Sequence, residues 1–485
     1  MDTDAALFDK YLEDFGEVGF TGKLFHSVVE VSGLPSVRSG EMVMFESGQL
    51  GQVAALKQGY IEVLVLSKEA IKVGTRVSRT GAMMSVPVGE KILAHTVDVL
   101  GRIITGEEFD SRGQERPVDI VPSGIASRIK INKPMYTGVI LVDLMIPLGM
   151  GQRELVVGDR KTGKSHLLLQ SAVTQGKLGR VVIYAAIAKK KMEVKKIESF
   201  LKEKGVWENS VVVAASSQDS PGEIFLCPYT AMTIAEYFRD KGRDVLLILD
   251  DMSAHAIFYR ELSLISRKFP GRDSYPGDIF YVHSKLLERA GNFTVDGKEV
   301  SITCLPIAET VQGDITGYIQ TNLMSMTDGH VFFDGELYFK GRRPAINPFV
   351  SVTRVGHQTQ TNLAREAGRA LLDLLSSFER TQSFLKFGAE LGESSRQILT
   401  MGERTLTFFD QPIDVSVPYS LQLVLLALLI SGMWSGKNLA KVLDVYEKDK
   451  EFNLLVEEMV KECDSLTSLM DKVRKSADKI LPNLA

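Results

Sequence analysis

Residues 158–165, Gly-Asp-Arg-Lys-Thr-Gly-Lys-Ser, are the residues best suited by type and spacing to do chemistry. They fit G-x-x-x-x-G-K-[ST], a loop whose backbone N–H groups cradle phosphate. "RELVVG" ahead of the loop reads as a strand and "KSHLLLQSAVTQ" behind it as a helix, so the helix N-terminus meets the anion. In this reading Gly158, Asp159, Arg160, Lys161, Thr162 and Gly163 wrap the phosphates, Lys164 reaches the β- and γ-phosphates, and the Ser165 hydroxyl ligates Mg²⁺. A chance glycine loop is the plain alternative, and the strand–loop–helix setting speaks against it. A second feature agrees. "DVLLILDD" is an apolar strand ending in Asp250 and Asp251, where a carboxylate holds Mg²⁺ through water. Such a strand can also end in a merely solvated aspartate. With the cradle present, Asp250 is the expected ligand, and the expected cofactors are ATP or ADP with Mg²⁺.

The elements that must position these groups follow from texture along the chain. Residues 1–19 hold an amphipathic stretch with Leu7, Phe8, Tyr11, Leu12 and Phe15 on one side. Both a packed terminus and a docking helix are consistent with it. Residues 20–92 are short alternating runs broken by glycine, which predicts a small antiparallel barrel or sandwich. Nothing in that stretch is arranged for catalysis; its histidine, His26, stands alone. Residues 93–361 alternate Val/Ile/Leu-rich runs with helical patterns, the signature of a parallel sheet covered on both faces. Residues 362–485 lose glycine and read as helices. The expected fold is therefore multidomain: a β-barrel, a P-loop α/β core and a C-terminal helical domain.

Bulk properties narrow the function classes. At 485 residues the chain exceeds one core, since domains usually run to about 100–200 residues. Its 57 basic and 61 acidic residues leave a net charge of −4, which gives no electrostatic reason to expect nucleic acid as a partner. Cys227, Cys304 and Cys463 lack paired spacing, so neither a zinc knuckle nor a disulfide framework is expected. The acidic start does not have the pattern of a secretory leader. "LVLLALLISGM" is too short for a bilayer, which takes about 20 residues, and reads as a buried helix in a chain soluble by itself.

Three stretches carry a family resemblance: "GDRKTGKS", "ILDDMSAHAIFYRELSLISRKFPGRDSYPGDIFYVHSKLLERAG" and "RRPAINPFVSVTRVG". They resemble the α subunit of F-type ATP synthases, over a span from about residue 20 to past 410. The resemblance implies that the barrel is six-stranded and that a RecA-like core follows it and binds nucleotide without cleaving it. In the catalytic β subunits of that family the strand after the cradle helix ends in Gly-Glu-Arg, and the glutamate positions the attacking water. Here "YAAIAKKK" puts Lys189 at that place, and a lysine cannot act as a carboxylate base. Residues 189–191 read as a solvated helix start, favoured over direct phosphate contact.

The resemblance further implies that Arg354, in "SVTRVG", projects into the neighbouring β site as an arginine finger. Arg343 and Pro344 match residues beside the adenine, and Gln411 matches the first of two adenine-contacting glutamines. The second position is Ile413. Lys161 stands where the family has glutamine, and together with Lys189 it makes the site more positive than the family norm. The implied partners are β subunits in an alternating ring of six, a γ-type central shaft and, through the N-terminus, a δ-type peripheral-stalk subunit. The membrane sector is met only indirectly. The implied location is the periphery of a bacterial inner membrane on its cytoplasmic face, or the equivalent face in an organelle. A self-sufficient hexameric ATPase motor of the same superfamily stays open as the alternative; it would need its own water-positioning glutamate.

Overall fold

The computed structural model describes residues 2–25, 27–105, 114–386, 392–435 and 438–484, so His26 lies outside the described residues. The chain forms two compact units that interleave along the sequence. One comprises Met1–Ile129, Gly179–Ala308 and Thr316–Met326; the other comprises Lys130–Leu178, Glu309–Ile315 and Thr327–Ala485.

The first unit opens with the helix Asp2–Phe15, which lies against the strand Arg76–Met83. Phe8 is buried there, which stabilises the contact by about 1.5–3 kcal/mol. The Arg76 and Arg79 guanidinium groups sit over the rings of Phe8 and Phe15, at 5.4 and 5.3 Å. The amphipathic stretch therefore packs on its own barrel. That barrel closes through six antiparallel strands in the order Val18–Phe25, Val28–Ser32, Ile61–Val65, Leu50–Leu56, Glu41–Phe45 and Arg76–Met83. Alternating residues point inward, so Val29, Val31, Val43, Phe45, Val53, Val63 and Val77 fill the interior.

The rest of this unit is a sheet between helices. Val245–Asp250 runs parallel to both Val181–Lys189 and Lys298–Thr310. Val181–Lys189 pairs in parallel with Ser210–Ser216, and that strand with His95–Val97. Val181 to Ile187 and all of Ser210–Ser216 and Val245–Asp250 are buried, as expected for central strands covered on both faces. The long helix Pro221–Asp240 covers three of these strands and is fixed at its start by a Ser220–Glu223 capping box.

In the second unit Leu155–Asp159 pairs in parallel with Gly329–Phe333, whose other edge takes Val352–Thr353 antiparallel. Leu155–Asp159 runs into the loop and then the helix Lys164–Lys177. A helical layer follows, including Asn362–Lys386, Glu393–Phe409, Tyr419–Ile430, Lys450–Lys461 and Leu466–Lys475. Tyr419–Ile430 is apolar all round, and its residues 421–429 are buried against the helices that surround it. No helix among the described residues is long and apolar enough to cross a membrane. The three cysteines are free and buried.

Candidate functional site: a phosphate cradle and a closed carboxylate

The cradle is built by close approach of two strands. At Gly158 a Cβ would lie 2.4 Å from the Phe333 carbonyl oxygen, so only glycine lets the loop leave its strand here. Inside the loop, Thr162 Oγ1 donates to the Asp159 carbonyl at 2.7 Å. The buried Lys164 Nζ donates to the carbonyls of Gly158 and Asp159, at 2.8 and 2.6 Å. Gly163 caps the helix in the left-handed region at φ 104°, which aims the first helical N–H groups out of the loop. Those donors, the helix dipole and the ammonium form an anion site. Ser165 is exposed on the first turn.

The other charged loop residues divide. The Asp159 carboxylate accepts from Thr310 Oγ1 and from the Gly313 N–H, at 2.5 and 2.9 Å. Arg160 Nε donates to Glu309 at 2.6 Å. These two residues tie the loop to the segment after the strand. Lys161 is exposed and holds a left-handed φ of 64°.

Arg343 and Pro344 line a cavity of about 260 Å³ together with Phe349, Phe409 and Asp410. The Arg343 guanidinium lies 3.8 Å from the Tyr338 ring centroid and donates to the carbonyls of Tyr338 and Arg342. His166 lies two residues past Lys164 on the cradle helix. Burial, and then the charge of Arg343, hold its imidazole below the usual histidine range. The motif does not specify this position, and the sequence carried no signal for it.

The amide of Gln411 is held within the protein. It is buried, and both amide hydrogens are committed: Nε2 donates to the carbonyls of Gly138 and Val415, at 2.7 and 2.6 Å. Its Oε1 accepts from the Ile140 N–H at 3.0 Å, while its own N–H donates to the Arg343 carbonyl at 2.8 Å. Gln411 thus braces the cavity wall. Ile413 is 43% exposed.

Arg354 stands on a firmly held turn. Its N–H donates to the Asp328 carbonyl at 2.9 Å, and the Asp328 carboxylate accepts three bonds from Arg153. A Cβ at Gly356 would collide with the Pro147 carbonyl at 1.6 Å, so the turn requires that glycine. The Arg354 side chain is exposed, and no carboxylate pairs with it among the described residues. Beneath the turn, Glu154 is fully buried. Desolvation drives its carboxyl well above the usual range, and the nearby Arg354 charge acts against that rise.

In the first unit, Asp250 ends its strand buried and already engaged on both oxygens. Lys189 Nζ lies 2.6 Å from Oδ1, and the Tyr184 hydroxyl donates to Oδ2 at 2.6 Å. Strand register explains the pairing. Ala186 sits opposite Asp250, and Tyr184, two residues back, shares a face with Ala186. A bulge at Ala188, with φ 55°, then turns Lys189 onto the carboxylate. Burial opposes the charge on Lys189, but Asp250, with help from Asp251 and Glu193, holds its pKa above the ordinary lysine value. Burial and Asp250 push the Tyr184 phenol well above its usual range.

This corrects the reading of residues 189–191. Lys190 and Lys191 are solvated at a helix start, but Lys189 is an interior ion-pair partner. Its charge is spent on Asp250 rather than added to an anion site. The described residues fit a nucleotide's phosphates through the cradle. They fit a divalent ion less well: Ser165 offers an exposed hydroxyl, the Asp250 carboxylate is taken, and no cluster of three His, Cys, Asp or Glu side chains suits a metal.

Comparison with known proteins agrees with this geometry. The family model for the ATP synthase alpha/beta family nucleotide-binding domain matches residues 138–353, and that for the C-terminal domain of the ATP synthase alpha/beta family matches residues 360–483. ATP synthase subunit alpha of Clostridium acetobutylicum is 39% identical over 405 residues, covering 83% of this chain and 80% of the relative. With cradle, fold and both domain matches in agreement, the chain belongs to the ATP synthase alpha/beta family.

Proposed function

We propose that this chain is an α-type subunit of an F-type ATP synthase that holds nucleotide without cleaving it. The observation that carries the reading is Lys189. A water-orienting group must be a base, and the residue at that strand end is an ammonium bound to Asp250. The cradle supplies the holding: Lys164 and the helix N-terminus bind the phosphates, and the Arg343–Pro344 cavity takes the base. Bound Mg²⁺ would supply charge neutralisation, with the exposed Ser165 hydroxyl as its ligand.

Arg354 is the contribution to catalysis. Its exposed guanidinium on a rigid turn suits a finger that stabilises γ-phosphate charge in an adjoining β subunit. In this reading the chain alternates with β subunits around a γ-type shaft, in a head driven by an ion gradient and attached to the membrane face through other subunits. A δ-type contact at the N-terminus belongs to the same proposal. The experiment is steady-state ATP turnover by the purified chain, alone and mixed with a β partner. Turnover only in the mixture supports the proposal. Steady turnover by the chain alone replaces it with a self-sufficient motor.

A further inference from the structure

Under the turn that carries Arg354 lies a carboxyl with one oxygen unused. Glu154 is 0% exposed; its Oε2 accepts from Gln152 Nε2 at 2.7 Å, while Oε1 has no hydrogen-bond partner. A Cβ at Gly329 would lie 2.6 and 2.8 Å from the two Glu154 oxygens, so the carboxyl packs directly on that strand. Gly329 pairs with Thr353 across the strands, and Arg354 is the next residue. The Gln152 amide also donates to Thr353 Oγ1 at 3.2 Å, which ties the carboxyl to the turn. The charged neighbours are few. Arg153 and Asp328 engage each other, and burial holds His330, which follows Gly329, below the usual histidine range against its bond to the Val350 carbonyl. Desolvation keeps the proton on Glu154, and Asp328 adds to this. An ionised carboxyl so deeply buried needs a cation, and among the described residues the one whose charge acts on it is Arg354.

We infer that Glu154 is a positioning residue for Arg354: with its proton it leaves the guanidinium extended toward the adjoining subunit, and without it it draws the guanidinium back onto the turn as an ion pair. The inference rests on the proposed reading of Arg354 as a finger, and both residues belong to the second unit. The proton goes to solvent and no other bond changes. The Arg354 N–H stays on the Asp328 carbonyl, so the backbone holds while the side chain exchanges one partner for another. The chain's contribution to the neighbouring site then falls as pH rises through the ionisation of Glu154.

The test begins with infrared titration of the full chain, reading the C=O stretch of the protonated carboxyl, assigned to Glu154 by its absence in Glu154→Gln. Arg354→Ala removes the partner of the ionised form and should move the loss of that band to higher pH by about one pH unit or more. Arg354→Lys should stay near wild type. In the reconstituted ring, the excess of wild-type over Arg354→Ala turnover should shrink at least about tenfold as the band is lost, in kcat rather than KM, and Glu154→Gln should keep its excess at alkaline pH. A band lost at the same pH with and without Arg354, or one that persists until the chain unfolds, overturns the inference and leaves the finger reading standing. A wild-type excess that is constant with pH overturns it as well, even if Glu154→Gln does not fold. Ring turnover that never depends on Arg354 overturns the finger reading and the inference together.

Discussion

Residues 158–165 and the strand end at Ala188–Lys189 both place lysines where phosphate chemistry is expected, and they dispose of the charge in different ways. In the loop, Lys164 is buried with its Nζ donating to two carbonyls at the start of the cradle, and Lys161 is exposed. At the strand end, Lys189 is turned inward and neutralised by Asp250. A sequence count makes both lysines additions to the anion site. The structure keeps only the loop as cationic. Local backbone decides which: a helix N-terminus presents charge, whereas a bulge beside a buried aspartate consumes it.

The largest expected effect concerns what the cradle unit exports. Arg354→Ala should lower turnover of the reconstituted ring by about 10³–10⁵, the range for arginine fingers supplied in trans, and leave ATP binding by the isolated chain unchanged. A loss below about tenfold would confine the chain to holding nucleotide.

Acid should separate the two units next. In the first, His255 and His283 are buried against one another at 3.2 Å, and His255 is held down to about 4 by burial. Burial, and then His255, hold His283 well below the usual range. Both stay neutral when folded, while the unfolded chain takes up protons below about pH 6.5. Stability of this unit should therefore fall as pH drops from 6.5 toward 4, by about 2 kcal/mol at pH 5 from His255, with His283 adding in the same direction. In the second unit the sign reverses. Burial raises the Asp143 carboxyl to about 6, partly offset by bonds from Thr137, Gln422 and Gly138. The folded unit binds the extra proton between about pH 4 and 6, so this term gains stability as pH falls. Native-state hydrogen exchange at pH 7 and 5, corrected for intrinsic rates, should show 252–265 losing protection relative to 419–430. His283→Gln should reduce the difference.

The smallest effect sharpens the account of the bulge. Ala188 occupies a left-handed φ of 55°, which costs an L-residue roughly 1–2 kcal/mol. Ala188→Gly should relieve part of this and raise unfolding stability by up to ~1 kcal/mol, measured by urea titration. A loss of stability would mean that the Lys189–Asp250 pair depends on the alanine.

Much of this was legible in the sequence. The cradle could be read because its spacing and its strand–helix flanks encode the geometry, and the barrel because period-two alternation survives in short strands such as Val28–Ser32. The apolar helix Tyr419–Ile430 was legible by length alone. The Lys189–Asp250 pair was not, because it joins residues 61 positions apart and depends on a one-residue bulge that no alternation pattern announces. Tyr184 offered the available hint, since alternation puts it on the face of Ala186. The bonds of Gln411 were hidden for a related reason: Gly138, Ile140 and Val415 engage its amide, and those partners lie up to 273 positions away.

The central claim is that the chain holds ATP and does not cleave it. The most direct measurement is to load the purified chain with radiolabelled ATP, remove the excess, and identify the nucleotide released on denaturation after several hours. The account predicts recovery of intact ATP. Recovery as ADP would mean that a group other than Lys189 orients water at this site.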